Sequence, residues 1–337
     1  MHRIERATKQ YIVELMNDHP MPTETSPHVP RPGVWVPAVT FINPITDELD
    51  LEAQAKYYQY LARSGLTGLV ILGTNAETLL LTREERASLL RTARAAVGPD
   101  FPLIAGVSGH STKQVIEYMS DAYDAGANYV LVLPAAYFGK QTTPSVIMRF
   151  YDLIADVSPL PVIIYNFPAV CNGVDLDSEM ITAIATKHSN VVGVKLTCAS
   201  VGKLTRLAAS LSPERFSIFG GQSDFLIGGL SVGSAGCIAA FANVFPKTIT
   251  RIYDLFTSGN TIEAMELHRV AARAEGSCKA GIAATKYAVA ICSAKAAGIP
   301  SAEELLQPRS PYEAPSDAAK KAIREALAPL EDIENKL

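Results

Sequence analysis

Gly68-Leu69-Val70-Ile71-Leu72, Glu85-Arg86-Ala87-Ser88-Leu89-Leu90-Arg91-Thr92-Ala93 and Leu103-Ile104-Ala105 set the frame for the whole chain. A short apolar run, a stretch with apolar residues at helical spacing and charges on its other face, and a second short apolar run make one strand, helix, strand unit. Working outward, the same alternation recurs, with strands expected at Val34–Val39, Gly68–Leu72, Leu103–Ala105, Tyr129–Leu133, Val162–Tyr165, Val191–Lys195, Phe216–Phe219 and Gly236–Ala239. Units spaced roughly 20 to 35 residues apart suit a closed parallel barrel better than an open doubly wound sheet. The Rossmann-like alternative lacks its phosphate-binding glycines, because the first loop reads Thr40-Phe41-Ile42-Asn43-Pro44. The expected fold is therefore α/β, a (β/α)8 TIM barrel, followed by a C-terminal helical appendage read from the alanine-rich stretches up to Ala290 and from Ser316 to Leu337. Five prolines between His19 and Pro32 forbid a continuing helix and read as a linker. The expected partition is an N-terminal extension and linker over 1–32, a catalytic barrel over 33–257 and a helical region over 258–337.

Of the 337 residues, 48% are hydrophobic and 19% charged, enough apolar material for a large core. A net charge of −4 without a basic stripe argues against a nucleic-acid partner and for a small molecule. The five cysteines are odd in number and include no CxxC pair, so neither a disulfide framework nor a structural zinc site is expected. No run of 18 apolar residues is present, so no membrane span is expected. The first 19 residues carry Arg3, Arg6 and Lys9 on an amphipathic pattern, but Glu5, Glu14 and Asp18 count against a transit peptide and no secretory signal is read. The expected location is cytoplasmic, with a mitochondrial one as the lesser alternative.

In a barrel of this kind the active site lies at the C-terminal ends of the strands, so polar residues ending apolar runs are the ones to inspect. Val191-Val192-Gly193-Val194-Lys195-Leu196-Thr197 places a lysine at such an end. Burial there disfavours the ammonium and leaves free amine able to attack a carbonyl, although a lysine can also simply snorkel or pair at a strand end. On the preceding strand, Pro161-Val162-Ile163-Ile164-Tyr165-Asn166-Phe167-Pro168 ends in a tyrosine whose hydroxyl can give and take a proton, or merely bond to backbone. The turn Gly73-Thr74-Asn75-Ala76-Glu77 offers hydroxyl, amide and N–H groups for a carboxylate, or only an N-cap. Tyr137, beyond the fourth strand, is a second candidate for a hydroxyl relay, with a surface aromatic as the plainer reading.

Taken in order, these segments resemble the dihydrodipicolinate synthase and N-acetylneuraminate lyase family of class I aldolases, over roughly Gly33 to Asn260. The resemblance rests on Gly73-Thr74-Asn75-Ala76-Glu77, Tyr165-Asn166-Phe167-Pro168 and Gly193-Val194-Lys195, with Ala76 in place of the family's usual glycine. It implies Lys195 as the Schiff-base residue, Tyr165 as the proton shuttle, and Thr74 with Tyr137 as the relay. It also implies carboxylate binding by Thr74 and Asn75, a pocket wall including Gly221 and Ile238, and a homodimer or homotetramer in which Tyr137 reaches a neighbouring subunit.

Authentic dihydrodipicolinate synthases carry an arginine shortly after the Tyr-Asn-x-Pro motif; here the stretch is Ala169-Val170-Cys171-Asn172-Gly173, one residue longer and without arginine. That disfavours a lysine-biosynthetic role. Thr197 stands where aldolases of hydroxylated 2-oxo acids tend to carry a hydroxyl, and a site built to bond a substrate hydroxyl rejects analogues lacking it. The resemblance thus points to reversible cleavage of a 4-hydroxy-2-oxo acid into pyruvate and an aldehyde, closest to fungal 2-keto-3-deoxy-L-galactonate aldolases, with 4-hydroxy-2-oxoglutarate aldolases next. No metal and no organic cofactor is expected. The rivals are a non-catalytic barrel that binds a 2-oxo acid and a metal-dependent class II aldolase, which needs clustered ligands that the scattered histidines do not supply.

Overall fold

A computed structural model describes residues 29–337. The readings of an amphipathic stretch over residues 1–19 and of most of the linker lie outside these described residues. Eight parallel strands close in sequence order into a barrel: β1 Gly33–Pro37, β2 Gly68–Ile71, β3 Leu103–Gly106, β4 Tyr129–Val132, β5 Val162–Asn166, β6 Val191–Leu196, β7 Ser217–Gly220 and β8 Gly236–Ile238. Each end falls within two residues of its expected position. The barrel closes through β1 on β8, which removes the open edges that the Rossmann-like alternative requires.

One helix follows each strand: α1 Leu51–Ala62, α2 Arg83–Val97, α3 Thr112–Asp124, α4 Pro144–Ala155, α5 Ser178–Lys187, α6 Val201–Ser210, α7 Leu226–Leu230 and α8 Pro246–Thr257. The first six start where a short polar side chain accepts a hydrogen bond from the first turn, namely Asp50, Thr82, Ser111, Thr143, Asp177 and Ser200. Each such cap stabilises its helix by about 1 kcal/mol and fixes where the preceding loop ends. Those loops lie at the C-terminal mouth of the barrel.

The strands are buried on both faces. One face packs against the helices; the other fills the barrel with Trp35, Val70, Ile104, Tyr129, Leu131, Ile163, Val192, Phe219 and Ile238. Trp35 meets Tyr129 and Phe219 edge-on, with centroids 6.3 and 6.4 Å apart. The interior is thus plugged, as barrels of this class require, and chemistry is confined to the mouth.

After α8 come α9 Thr261–Gly276, α10 Ile282–Ile291, α11 Ser293–Ala296, α12 Ala302–Leu305 and α13 Asp317–Lys336. The alanine-rich stretch up to Ala290 is helical in two pieces, broken between α9 and α10, where Gly281 takes a φ of 145° open to glycine. Helix α13 buries Ile323, Leu327 and Leu330, and its Glu334 carboxylate accepts from Lys247 N at 3.0 Å, Thr248 N at 2.7 Å and Thr248 Oγ1 at 2.6 Å. That carboxylate caps α8 from outside and ties the last helix to the barrel.

Candidate active site

The register between β5 and β6 decides where the lysine points. Val162 pairs with Val191 and Ile163 with Gly193, so one extra residue, Val192, is accommodated as a bulge; Ile164 then pairs with Val194 and Tyr165 with Lys195. Because side chains alternate along a strand, this slip keeps both Val192 and Lys195 on the inner face. Gly193 permits it, since a Cβ there would stand 2.8 Å from the Ser217 carbonyl oxygen.

Lys195 is 2% exposed and its Nζ sits 4.3 Å from the centroid of the Tyr165 ring. The Tyr165 hydroxyl lies 3.3 Å from Thr74 Oγ1, and either can donate. Thr74 opens a single tight turn, Thr74–Ala76, whose far end is held by Thr40 Oγ1 donating to Ala76 O at 2.9 Å. The left-handed backbone belongs to Glu77, at φ 56° and ψ 35°, and not to Ala76. Alanine therefore replaces the family's glycine without conformational strain. Asn75 sits half-buried beside Thr74.

Thr197 follows β6, its N–H bonded to Asn166 O at 2.9 Å. Its hydroxyl is buried with no hydrogen-bond partner. Gly221 packs directly on it, since a Cβ at that position would come within 2.0 Å of Thr197 Oγ1. Ile238 is fully buried in the same interior cluster as Tyr165. The structure thus brings Lys195, Tyr165 and Thr74 into one chain of contacts, with Asn75 adjoining it and Thr197 and Gly221 packed together at the neighbouring strand ends.

Tyr137 does not join them within the subunit. The loop after β4 carries it outward, 70% exposed, with its ring 5.8 Å from that of His110 and 5.3 Å from that of Phe138. A hydroxyl relay from Thr74 to Tyr137 is therefore not formed inside one chain. Among the described histidines, His188 bonds Asp152 and His268 bonds the Ser223 carbonyl, each at the ring Nε2.

Sequence reading passed over the groups that hold these loops. Asn166, wholly buried, donates to Asp175 Oδ1 at 2.6 Å and accepts from Leu176 N at 3.0 Å. Lys203 donates to the same Asp175 oxygen at 2.5 Å. Burial pushes the Asp175 carboxyl up, but the bonds from Lys203 and Asn166 and the lysine's charge outweigh it and hold the group below the usual carboxylate range. Asn172, in the stretch that lacks the arginine, donates to Ala136 O at 2.8 Å and Tyr137 O at 3.1 Å, fastening the β5 loop to the β4 loop. Asn166 lies within a quoted motif; Asp175, Lys203 and Asn172 carry no sequence signal of their own.

Comparison with known proteins is consistent with this geometry. The chain is 70% identical over 308 residues, 91% of its length and 98% of the relative's, to a Coccidioides immitis protein provisionally named a mitochondrial 4-hydroxy-2-oxoglutarate aldolase. It is 37% identical over 287 residues, 77% of its length and 85% of the relative's, to the L-threo-3-deoxy-hexylosonate aldolase of Aspergillus niger. A crystal structure of a dihydrodipicolinate synthase family protein from Coccidioides immitis superposes with a TM-score of 0.88 at 66% identity, covering 93% of this chain and 100% of that one. A family member from Escherichia coli K12, solved with pyruvate, gives 0.81 at 25% identity over 89% and 98%. The profile of the Dihydrodipicolinate synthetase family matches residues 32–327, and the chain belongs to that family.

Proposed function

We propose that this chain is a pyruvate-dependent class I aldolase that reversibly cleaves a 4-hydroxy-2-oxo acid, with Lys195 as the Schiff-base residue. The observation that carries the reading is the placement of the Tyr165 ring against the Lys195 amine and of its hydroxyl beside Thr74. The amine adds to the C2 carbonyl, Tyr165 delivers a proton to the oxygen, and water leaves to give a protonated imine. Electrons of the C3–C4 bond then pass into the imine while Tyr165 takes the proton of the C4 hydroxyl and the aldehyde departs. Protonation of the enamine at C3 and hydrolysis release pyruvate and regenerate the lysine. Thr74, Asn75 and the N–H groups of their turn receive the pyruvyl carboxylate, with Gly221 and Ile238 walling the pocket.

Two carbon skeletons fit these steps. The relative at 70% identity supports 4-hydroxy-2-oxoglutarate, with glyoxylate as the aldehyde. The relative acting on L-threo-3-deoxy-hexylosonate, together with the unpartnered Thr197 hydroxyl, supports a six-carbon acid of the 2-keto-3-deoxy-L-galactonate type. Parallel kcat/KM values on the two acids rank them. Two relatives with mitochondrial names support a mitochondrial address over the cytoplasmic one. A dimer or a dimer of dimers is also part of this reading, because Tyr137 is exposed and completes a relay only from a second copy.

Incubation with pyruvate, borohydride reduction and peptide mass spectrometry test the assignment. The expected result is one adduct, on Lys195, and none in Lys195→Ala, which also loses turnover. Folded protein that forms no adduct, or forms it on another lysine, would overturn the reading.

A further inference from the structure

The turn that carries Thr74 and Asn75 is anchored from the far end of the chain. Glu77 closes it with left-handed backbone, a conformation unfavourable for a non-glycine residue that persists only where the surroundings enforce it. Its side chain is buried, and its carboxylate accepts from Lys286 Nζ at 2.6 Å and from Arg309 N at 2.8 Å. Lys286, also buried, comes from α10 and donates in addition to Gln307 O at 2.8 Å. The Arg309 guanidinium grips Glu85 of α2 at 2.7 and 2.9 Å, Leu80 O at 3.1 Å and Asp47 of the β1 loop at 3.1 Å. The segment after α12 thus straps the loops of β1 and β2, and one buried ion pair passes that hold to the turn.

A buried ion pair adds little net stability over a well-packed apolar pair, so stability alone does not account for one placed here. We infer that Glu77 is a positioning residue: held by Lys286 and the Arg309 strap, it fixes the turn Thr74–Ala76 in the geometry that receives the substrate carboxylate. The inference rests on the reading of that turn as the carboxylate site. Freed of this anchor, the turn relaxes from the left-handed conformation and the pyruvyl carboxylate binds less well; proton transfer through Tyr165 and Thr74 slows with it, but the imine at Lys195 still reaches its equilibrium once substrate is bound.

The test measures borohydride-trapped adduct against ligand concentration, for pyruvate and for methyl pyruvate, which has no carboxylate. Wild type is expected to half-saturate at a much lower concentration of pyruvate than of the ester; equal values would remove the carboxylate reading itself. In Glu77→Gln, and in Glu77→Gln/Lys286→Met, which leaves no unpaired buried cation, half-saturation for pyruvate is expected to rise about tenfold or more. The value for the ester and the adduct yield at saturation should hold within about twofold of wild type. Arg309→Gln, which leaves the buried pair whole, should give a smaller rise in the same direction and covers the case in which the pair cannot be changed without unfolding. A fall in thermal stability with the pyruvate preference unchanged in the folded variants would show the network to be structural and overturn the inference.

Discussion

Thr197 buries a hydroxyl that bonds to nothing, and an unsatisfied buried hydroxyl costs about 1–3 kcal/mol. A turn about χ1 would give it a partner in the complex, and under the proposed function that partner is the C4 hydroxyl of the substrate. Thr197→Val keeps the shape and removes the group. Thermal stability should hold or rise, the pyruvate adduct on Lys195 should form as in wild type, and kcat/KM for the 4-hydroxy-2-oxo acid should fall at least tenfold. Unchanged kcat/KM would mean that the hydroxyl faces only Gly221 and has no part in substrate choice. The neighbouring positions show what a sequence reveals at this scale. That Lys195, Tyr165 and Thr74 gather at the mouth of the barrel was legible because each stands at or just beyond the C-terminal end of an apolar run. Asp175 and Lys203 were not, because an acid in a loop and a lysine on a helix look the same whether they pair in a buried network or face water.

The strands of the barrel were legible almost to the residue, since each is a short apolar run closed by a glycine, a proline or a polar turn. The bulge between β5 and β6 was not: strict alternation from the inward Val192 would turn Lys195 outward, and only the pairing of Gly193 with Ile163 restores it. The junction of α9 with the turn after β7 was equally hidden. There Glu275 is buried, and its carboxylate accepts from Ser223 Oγ at 2.6 Å and Ser223 N at 3.3 Å; Asp224 and Lys279 lie beside it, and Cys237 is close enough to feel its charge. Burial pushes this carboxyl from 4.5 up to about 7, against the lowering pull of the Ser223 hydroxyl. The folded protein therefore holds this proton at pH values where the unfolded chain has lost it. Its contribution to stability is complete below pH 4.5 and is lost as the pH climbs through about 7. The loss is on the order of 3 kcal/mol. Thermal unfolding of wild type should show Tm falling by several degrees across that window, and Glu275→Gln should flatten the slope there. A variant as steep as wild type would assign the pH dependence to other groups.

At the scale of the whole molecule, one chain brings Lys195, Tyr165 and the turn of Thr74 together but sends Tyr137 into solvent, 70% exposed beside a Phe138 that is 68% exposed. Two adjacent exposed aromatics on a loop fastened by Asn172 suit contact with another protein surface, and the proposed dimer makes a second copy that partner. In a two-fold dimer the same patch serves both subunits, so each mouth receives the other's hydroxyl. Complementation distinguishes this arrangement from a purely structural patch. Tyr137→Ala supplies an intact Lys195 without the relay, and Lys195→Ala supplies an intact Tyr137 without the amine; each alone should be weakly active or inactive. Refolded together in equal amounts, half of the dimers are mixed, and each mixed dimer contains one site with both groups. Activity should then recover to about a quarter of wild type. If Tyr137 acts only within its own subunit, or not at all, the mixture should show no more than the mean of the two variants, and the proposed exchange of hydroxyls across an interface is wrong.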